Sequence, residues 1–160
     1  MVVWHWRSFE ALSVIDLYDI LLAREAVFIV EQHCIYQDID GLDPDVWHLM
    51  GRETASGTHA LMAYLRVVLP GKKYEEPSIG RVLTTSAARG RGLGQALMAE
   101  GIKRVEAHYP GRSIRISAQA HLERFYQGFG FQTVSEPYDE DGIPHIEMLR
   151  VPRAKEAALG

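Results

Sequence analysis

Arg89-Gly90-Arg91-Gly92-Leu93-Gly94 packs three glycines and two arginines into six positions. The segment follows a β-branched run, Ser78 to Thr85, and opens a long apolar-striped stretch. The first N–H groups of a helix have no intrahelical partner and carry partial positive charge. Glycines let an anion approach that backbone closely, and arginines add full charges. The implied chemistry is binding of a phosphate or pyrophosphate. Three glycine patterns compete. The Walker loop needs GxxxxGK[ST], and no such Lys-Ser/Thr pair is present. The dinucleotide fingerprint needs GxGxxG, whereas Gly94 is followed by Gln95-Ala96-Leu97. The third pattern, Arg-x-x-Gly-x-Gly, is met by Arg89, Gly92 and Gly94.

A second chemical candidate is the acidic stretch Asp38-Ile39-Asp40-Gly41-Leu42-Asp43-Pro44-Asp45. A calcium loop of the EF-hand type needs glycine at position six and glutamate at position twelve. Counted from Asp38, glycine is fourth and the twelfth residue is Leu49, so no metal site is expected. An acidic rim that attracts a cationic acceptor fits the stretch better. Cys34 is the one cysteine, which excludes an intramolecular disulfide and a multi-cysteine zinc site. Placed in a loop without a base partner, it reads as incidental and not as an acyl carrier.

The chain has 160 residues and a net charge of −4, spread unevenly. Residues 31–50 and 132–149 each hold five acids and no Lys or Arg, whereas residues 66–115 hold ten Lys/Arg against four acids. A basic middle between two acidic blocks points to one anionic and one cationic partner. Net acidity argues against a nucleic-acid binder. No apolar run approaches about 18 residues, so no membrane span is expected. No signal peptide is visible at the N-terminus, and the expected location is the reducing cytoplasm.

These residues need elements to position them. Val2 to Trp6 reads as a strand. Ser13 and Asp16 form a capping-box pattern that opens a helix with Ile15, Leu17, Leu21, Leu22, Val27 and Phe28 near helical spacing. Gln32 to Pro44 is a polar loop. Val46–Glu53 and His59–Leu69 read as strands joined at Ser56-Gly57. Ser78–Thr85 is a further strand. The helix after the glycine turn ends at Pro110-Gly111, and Arg112–Ala118 is a strand. Leu122, Phe125 and Phe129 mark a short helix. Phe131–Val134 and Ile143–Val151 are the last strands, with Pro137 to Gly142 an acidic turn. The order β-α-β-β-β-α-β-α-β-β implies one α/β domain with a mixed sheet over residues 1–151, and a frayed tail at 152–160.

Arg-x-x-Gly-x-Gly between a strand and a helix resembles the acetyl-CoA pyrophosphate loop of the GNAT N-acetyltransferase superfamily. Phe125-Tyr126-Gln127-Gly128-Phe129-Gly130-Phe131 is similar to that family's late F-Y-x-x-x-G-F segment. The specific motifs cover roughly residues 78–135. Phe28-Ile29-Val30-Glu31-Gln32, then Cys34, Tyr36, Asp38, Asp40-Gly41, Asp43 and His48-Leu49, with Gly142-Ile143-Pro144-His145-Ile146, look like the ElaA-like branch.

The resemblance implies a GNAT fold: a mixed central sheet flanked by helices, with two strands splayed to form an acyl-CoA cleft. It implies that a backbone N–H near Val82, Leu83 and Thr84 holds the thioester carbonyl and its developing oxyanion. Arg89, Gly90, Arg91, Gly92, Leu93, Gly94 and Gln95 would cradle the pyrophosphate, with Phe125 beside the cofactor. Tyr126 falls at the general-acid position that protonates the departing thiolate. An amine nucleophile must be neutral, so a base is needed. Glu31 is the first candidate, followed by His145 and His48. Gln32, Gln119 and His121 would border the acceptor. The implied activity is acetyl transfer from acetyl-CoA to a primary amine, most naturally a cationic one, by direct attack in a ternary complex. The alternative is a non-catalytic acyl-CoA-binding or sensing module. The Trp4/Trp6 strand is a candidate homodimer contact.

Overall fold

The fold is described from a computed structural model covering residues 1–152. The tail expected at 152–160 lies outside the described residues, apart from Pro152. Strand β1 (Val2–Ser8) leads into helix α1 (Val14–Arg24), and α1 continues as a π-helical turn, Glu25–Glu31. Strands β2 (Trp47–Ala55), β3 (Thr58–Val68) and β4 (Ser78–Thr84) follow. Helix α2 (Leu93–His108) crosses to β5 (Ile114–Gln119). Helix α3 (Glu123–Gln127), β6 (Phe131–Thr133), β7 (Tyr138–Glu140) and β8 (Ile143–Arg150) complete the domain.

Local chemistry accounts for the boundaries. Ser13 Oγ accepts from Asp16 N–H at 2.9 Å, and the Asp16 carboxylate accepts from Ser13 N–H at 3.2 Å. This reciprocal box starts α1 as the spacing anticipates. The β2–β3 hairpin turns through Ser56 (φ +51) and Gly57 (φ +80), the two positive dihedrals of a tight hairpin turn. Pro137 to Gly142 is not only a turn. Tyr138, Asp139 and Glu140 pair with β8, and the reversal is confined to Asp141 (φ +53) and Gly142 (φ +83).

The strands form two four-stranded sheets, β1-β2-β3-β4 and β5-β8-β6 with β7 also on β8. Every ladder is antiparallel. The parallel neighbours are β4 and β5, linked by the α2 crossover. They meet at their starts, where Arg115 N–H donates to the Pro77 carbonyl at 3.1 Å. Beyond that bond the two strands diverge without a ladder among the described residues. The architecture is the expected mixed α/β sheet with a splayed centre.

Helix α2 packs across both sheets. Its Leu97, Met98, Ile102 and Val105 join Leu49, Leu65 and Val67 from one sheet and Ile114, Ile116 and Met148 from the other. Gly101 sets the approach, since a Cβ there would lie 2.7 Å from Leu65 Cδ2. Truncating a wholly buried side chain such as Leu97 to alanine costs roughly 2–5 kcal/mol. A smaller cluster under α1 (Ile20, Ala23, Met50, Tyr64, Leu83) covers the opposite face of the first sheet. Trp6 is buried in the main core, stacked on Trp47 at 5.1 Å, and Trp4 packs against the same core.

Candidate active site

The divergence of β4 and β5 opens a cavity of about 330 Å³. Ile79, Gly80, Arg81 and Val82 form one wall, and Ile116, Ser117, Ala118 and Gln119 the other. Val27, Phe28 and Gln32 enter from the π-helical turn, Leu122 and Tyr126 from α3, and Glu140, Asp141, Ile143 and His145 from the β7–β8 hairpin. Of the three residues expected at the thioester, only Val82 lines the cavity. The Leu83 side chain points into the core under α1, and Thr84 sits opposite Ala63 on β3.

Helix α2 begins at the end of β4. Gly92 is its N-cap at φ +72, and Gly90 lies at φ +79. No side chain caps this terminus, and no acid occupies the first turn. The first N–H groups are therefore free of side-chain acceptors, as an anion site requires. Phe125 flanks the turn: its ring lies 4.0 Å from where a Cβ on Gly94 would sit. Arg89 makes a two-point contact with Glu31 at 2.6 and 3.1 Å, and Arg91 holds Glu53 in the same way. The guanidinium beside Glu31 holds its carboxyl below the usual range. Glu31 therefore faces the phosphate turn and not the cavity, and the first base candidate is corrected. The π-helical turn places Val27, Phe28 and Gln32 on the cavity and Glu31 away from it.

The histidines separate by tautomer. A backbone carbonyl only accepts, so a ring nitrogen facing one must carry the proton. His48 is wholly buried, with Nε2 at 2.9 Å from the Asp43 carbonyl and Nδ1 at 2.7 Å from Tyr64 Oη. Its Nε2 donates, its Nδ1 accepts, and no lone pair is left for a substrate. Burial also pushes its pKa down. His48 is structural, which corrects the third base expectation. His145 has the opposite tautomer. Its Nδ1 donates to the Ile143 carbonyl at 2.7 Å, so Nε2 is the nitrogen left to gain or lose a proton, and it lies at the cavity 3.2 Å from Glu140 Oε2. The Ile143 carbonyl on Nδ1 orients the ring, and the Glu140 carboxylate stabilises a proton on Nε2. His121 is exposed on the turn before α3 and does not line the cavity. Gln119 donates to Gln32 at 3.2 Å, and both line it. Tyr126 is buried at the cavity, and burial alone pushes its pKa up to about 12. Its hydroxyl therefore stays protonated at neutral pH.

The family model for the acetyltransferase (GNAT) domain matches residues 50–151. Protein ElaA of Escherichia coli is 44% identical over 152 residues, covering 94% of this chain and 97% of ElaA. The chain belongs to the GNAT acetyltransferase family, in its ElaA-like branch. A UPF0039 protein of Synechocystis is 47% identical over 150 residues, covering 93% of this chain and 96% of that protein. The crystal structure of an acyl-CoA N-acyltransferase from Pseudomonas aeruginosa superposes with a TM-score of 0.87 at 42% identity, covering 94% of this chain and 100% of that one. The crystal structure of E. coli ElaA gives a TM-score of 0.84 at 43% identity over 94% of this chain and 99% of ElaA. Family membership makes this an acyltransferase domain.

Within this GNAT domain the acidic loop has a different role from the one its charge suggested. Arg24, wholly buried, donates to Asp38 at 2.9 Å and to Asp43 at 2.7 Å. Arg66 donates to Asp40 at 2.5 Å and to Asp43 at 3.0 Å. Arg81 lies 2.8 Å from Asp38. Burial opposes ionisation of Asp40 and Asp43, but the arginines outweigh it and hold both carboxyls below the usual range. Asp38, Asp40 and Asp43 are thus a folded ion cluster and not an acceptor rim. The second acidic block does reach the cavity, through Glu140 and Asp141. Glu140, Arg81 and Cys34 are among the cavity residues that sequence reasoning missed. Glu140 was absorbed into an acidic turn, Arg81 sits on a strand bulge, and Cys34 donates from Sγ to the Asp141 carbonyl at 2.9 Å. The two-residue β7–β8 turn was the available signal for Glu140. Nothing local marked Arg81.

Proposed function

We propose that the protein transfers the acetyl group of acetyl-CoA directly to a primary amine within a ternary complex. One observation carries the reading: His145, whose Nδ1 is committed to a backbone carbonyl so that Nε2 is left to exchange a proton, shares a cavity with Tyr126 and the β4 backbone at Val82. The uncapped start of α2 fits a pyrophosphate, so Arg89 to Gln95 would hold the donor there. Acetyl-CoA supplies the activated acyl group. The amine nitrogen forms a bond to the acyl carbon as the carbon–sulfur bond breaks. The proton lost by the amine goes to His145, where Glu140 stabilises the imidazolium. The departing thiolate takes the Tyr126 proton. A phenol raised to about 12 is a weak donor to a thiolate whose ordinary value is about 8.5, so this contribution is modest. The Val82 N–H faces the oxyanion. Glu140 and Asp141 at the cavity favour a cationic acceptor.

The test is a panel of primary amines and peptides with acetyl-CoA, read by free thiol release. Turnover that falls roughly 10²- to 10⁴-fold in His145→Gln supports the assignment. Acetyl-CoA binding without turnover on any amine overturns it and favours a sensing module.

A further inference from the structure

Arg81 is a non-glycine residue at φ +51 inside β4. Left-handed backbone disfavours a residue with a Cβ and persists where surrounding contacts over-determine it. The ladder explains the position. Tyr64 pairs with Leu83 and Arg66 with Gly80, so Leu65 alone faces both Arg81 and Val82. Two residues against one is a β-bulge, and it takes backbone groups out of the β3 ladder. The bulge lies in the cavity wall, with Val82 next to it.

The Arg81 side chain ties the bulge to the ion cluster. Its Nε lies 2.8 Å from Asp38 Oδ1, and its Nη2 donates to the Asp38 carbonyl at 3.0 Å. The guanidinium sits over the Tyr36 ring, 5.6 Å from its centroid, and Tyr36 Oη donates to Asp38 Oδ1 at 3.1 Å. Asp38 is held in turn by the wholly buried Arg24. A continuous set of contacts therefore runs from the protein interior to the strained residue of the cavity wall.

We propose that the Arg81–Asp38 clamp is a positioning device that fixes the β4 bulge and so keeps the Val82 N–H aimed at the acyl carbonyl. The inference rests on the acetyl-transfer reading above. Arg81 acts through the backbone of its neighbour and is not itself a catalytic residue. Misplacing a reacting group by about 1 Å costs on the order of 10²-fold in rate, so the device matters out of proportion to its contacts.

Two substitutions at one site separate the clamp from its alternatives. Arg81→Gly and Arg81→Ala both remove the guanidinium, but glycine accepts positive φ without strain and alanine does not. The expected kcat order is wild type, then Arg81→Gly about tenfold lower, then Arg81→Ala on the order of 10²-fold lower. The KM for acetyl-CoA stays within about twofold, because the phosphate turn is untouched. Arg81→Lys, which keeps a charge beside Asp38, recovers part of the loss. Equal losses in the glycine and alanine variants overturn the proposal, because charge alone would then be at work. A KM and melting temperature that fall together with kcat overturn it as well.

A binding measurement stands apart from turnover. Only the acetyl carbonyl uses the aimed N–H, so by calorimetry the wild type binds acetyl-CoA more tightly than free CoA. Arg81→Ala loses that preference while its affinity for free CoA is unchanged. A preference kept in Arg81→Ala, or absent in the wild type, overturns the clamp. A wild type that binds neither compound removes the acetyl-transfer reading, and the clamp with it. A wild type that binds and transfers while both variants match it removes the clamp alone.

Discussion

Two of the arginine–carboxylate groups in this domain are set apart by burial. In the loop cluster, Arg24 and Arg66 hold Asp38 and Asp43 in the interior, and Arg66 reaches Asp40 at its rim. At the phosphate turn, Arg89 and Arg91 hold Glu31 and Glu53 at the surface. The pair chemistry is the same. In the interior each charge has lost its water and depends on its partner. At the surface water and salt compete, so the carboxylates can be exchanged for another anion. The buried group is framework, and in the proposed function the exposed group is a site. A tally of charge along the chain makes them look alike.

The comparison can be broken at either end. The largest effect is expected from Asp43→Ala, which takes one carboxylate from both Arg24 and Arg66. Removing one partner of a buried pair costs about 3 kcal/mol, here at the low end because Asp38 and Asp40 remain. Denaturant unfolding measures it, and a loss below about 1 kcal/mol, the level of a surface pair, would erase the contrast. Gly92→Asp places an acid at the start of α2. It should weaken acetyl-CoA binding by on the order of 10²-fold, about 3 kcal/mol, while costing the fold only about 1 kcal/mol. Calorimetry against thermal unfolding separates the two.

Acid should act on the buried group in two stages. His48 has a folded pKa pushed below its unfolded value of about 6.5, so its contribution is full above that pH and declines as pH falls through it. Asp40 and Asp43 have folded pKa values below the unfolded value of about 3.9, so their contribution is complete above that pH and is lost only below it. Each group alters stability by at most about 1.4 kcal/mol per pH unit. Unfolding free energy measured from pH 8 to pH 3 should decline from near pH 6.5 and steepen near pH 4, and His48→Gln should remove the first stage. The smallest effect is expected from Glu31→Gln. It should leave the melting temperature unchanged and tighten acetyl-CoA binding by at most about fivefold at low salt, fading at high salt. A clear loss of stability would mean that the exposed pair is also framework.

The elements that depend on nearest neighbours were legible in the sequence. The Ser13–Asp16 box, the Ser56-Gly57 turn and the glycine turn before α2 are local patterns, and each lies where its spacing places it. The resemblance to GNAT enzymes was carried by the same kind of local motif. What escaped depends on contacts distant in sequence. β7 is a three-residue acidic strand that exists because β8 pairs with it. Asp38 and Asp43 find Arg24 across 14 and 19 residues, so their charge was visible but its neutralisation was not. Glu31 was misplaced because a π-helical turn re-phases its face. His48 and His145 are the same residue type, and only their carbonyl partners reveal which one keeps a ring nitrogen to exchange a proton at the cavity.

Among the described residues the two sheets share one backbone stitch, from Arg115 to Pro77. Mechanically that is a hinge line and not a wall. Parting the strands beyond it breaks no ladder bond, so resistance comes from the α2 side chains that bridge both sheets. Core side chains are close-packed, and their volume fixes how far apart the sheets stand. The width of the β4–β5 cleft is therefore set by how the core beneath it is filled, and core substitutions can alter it while every strand pairing stays intact.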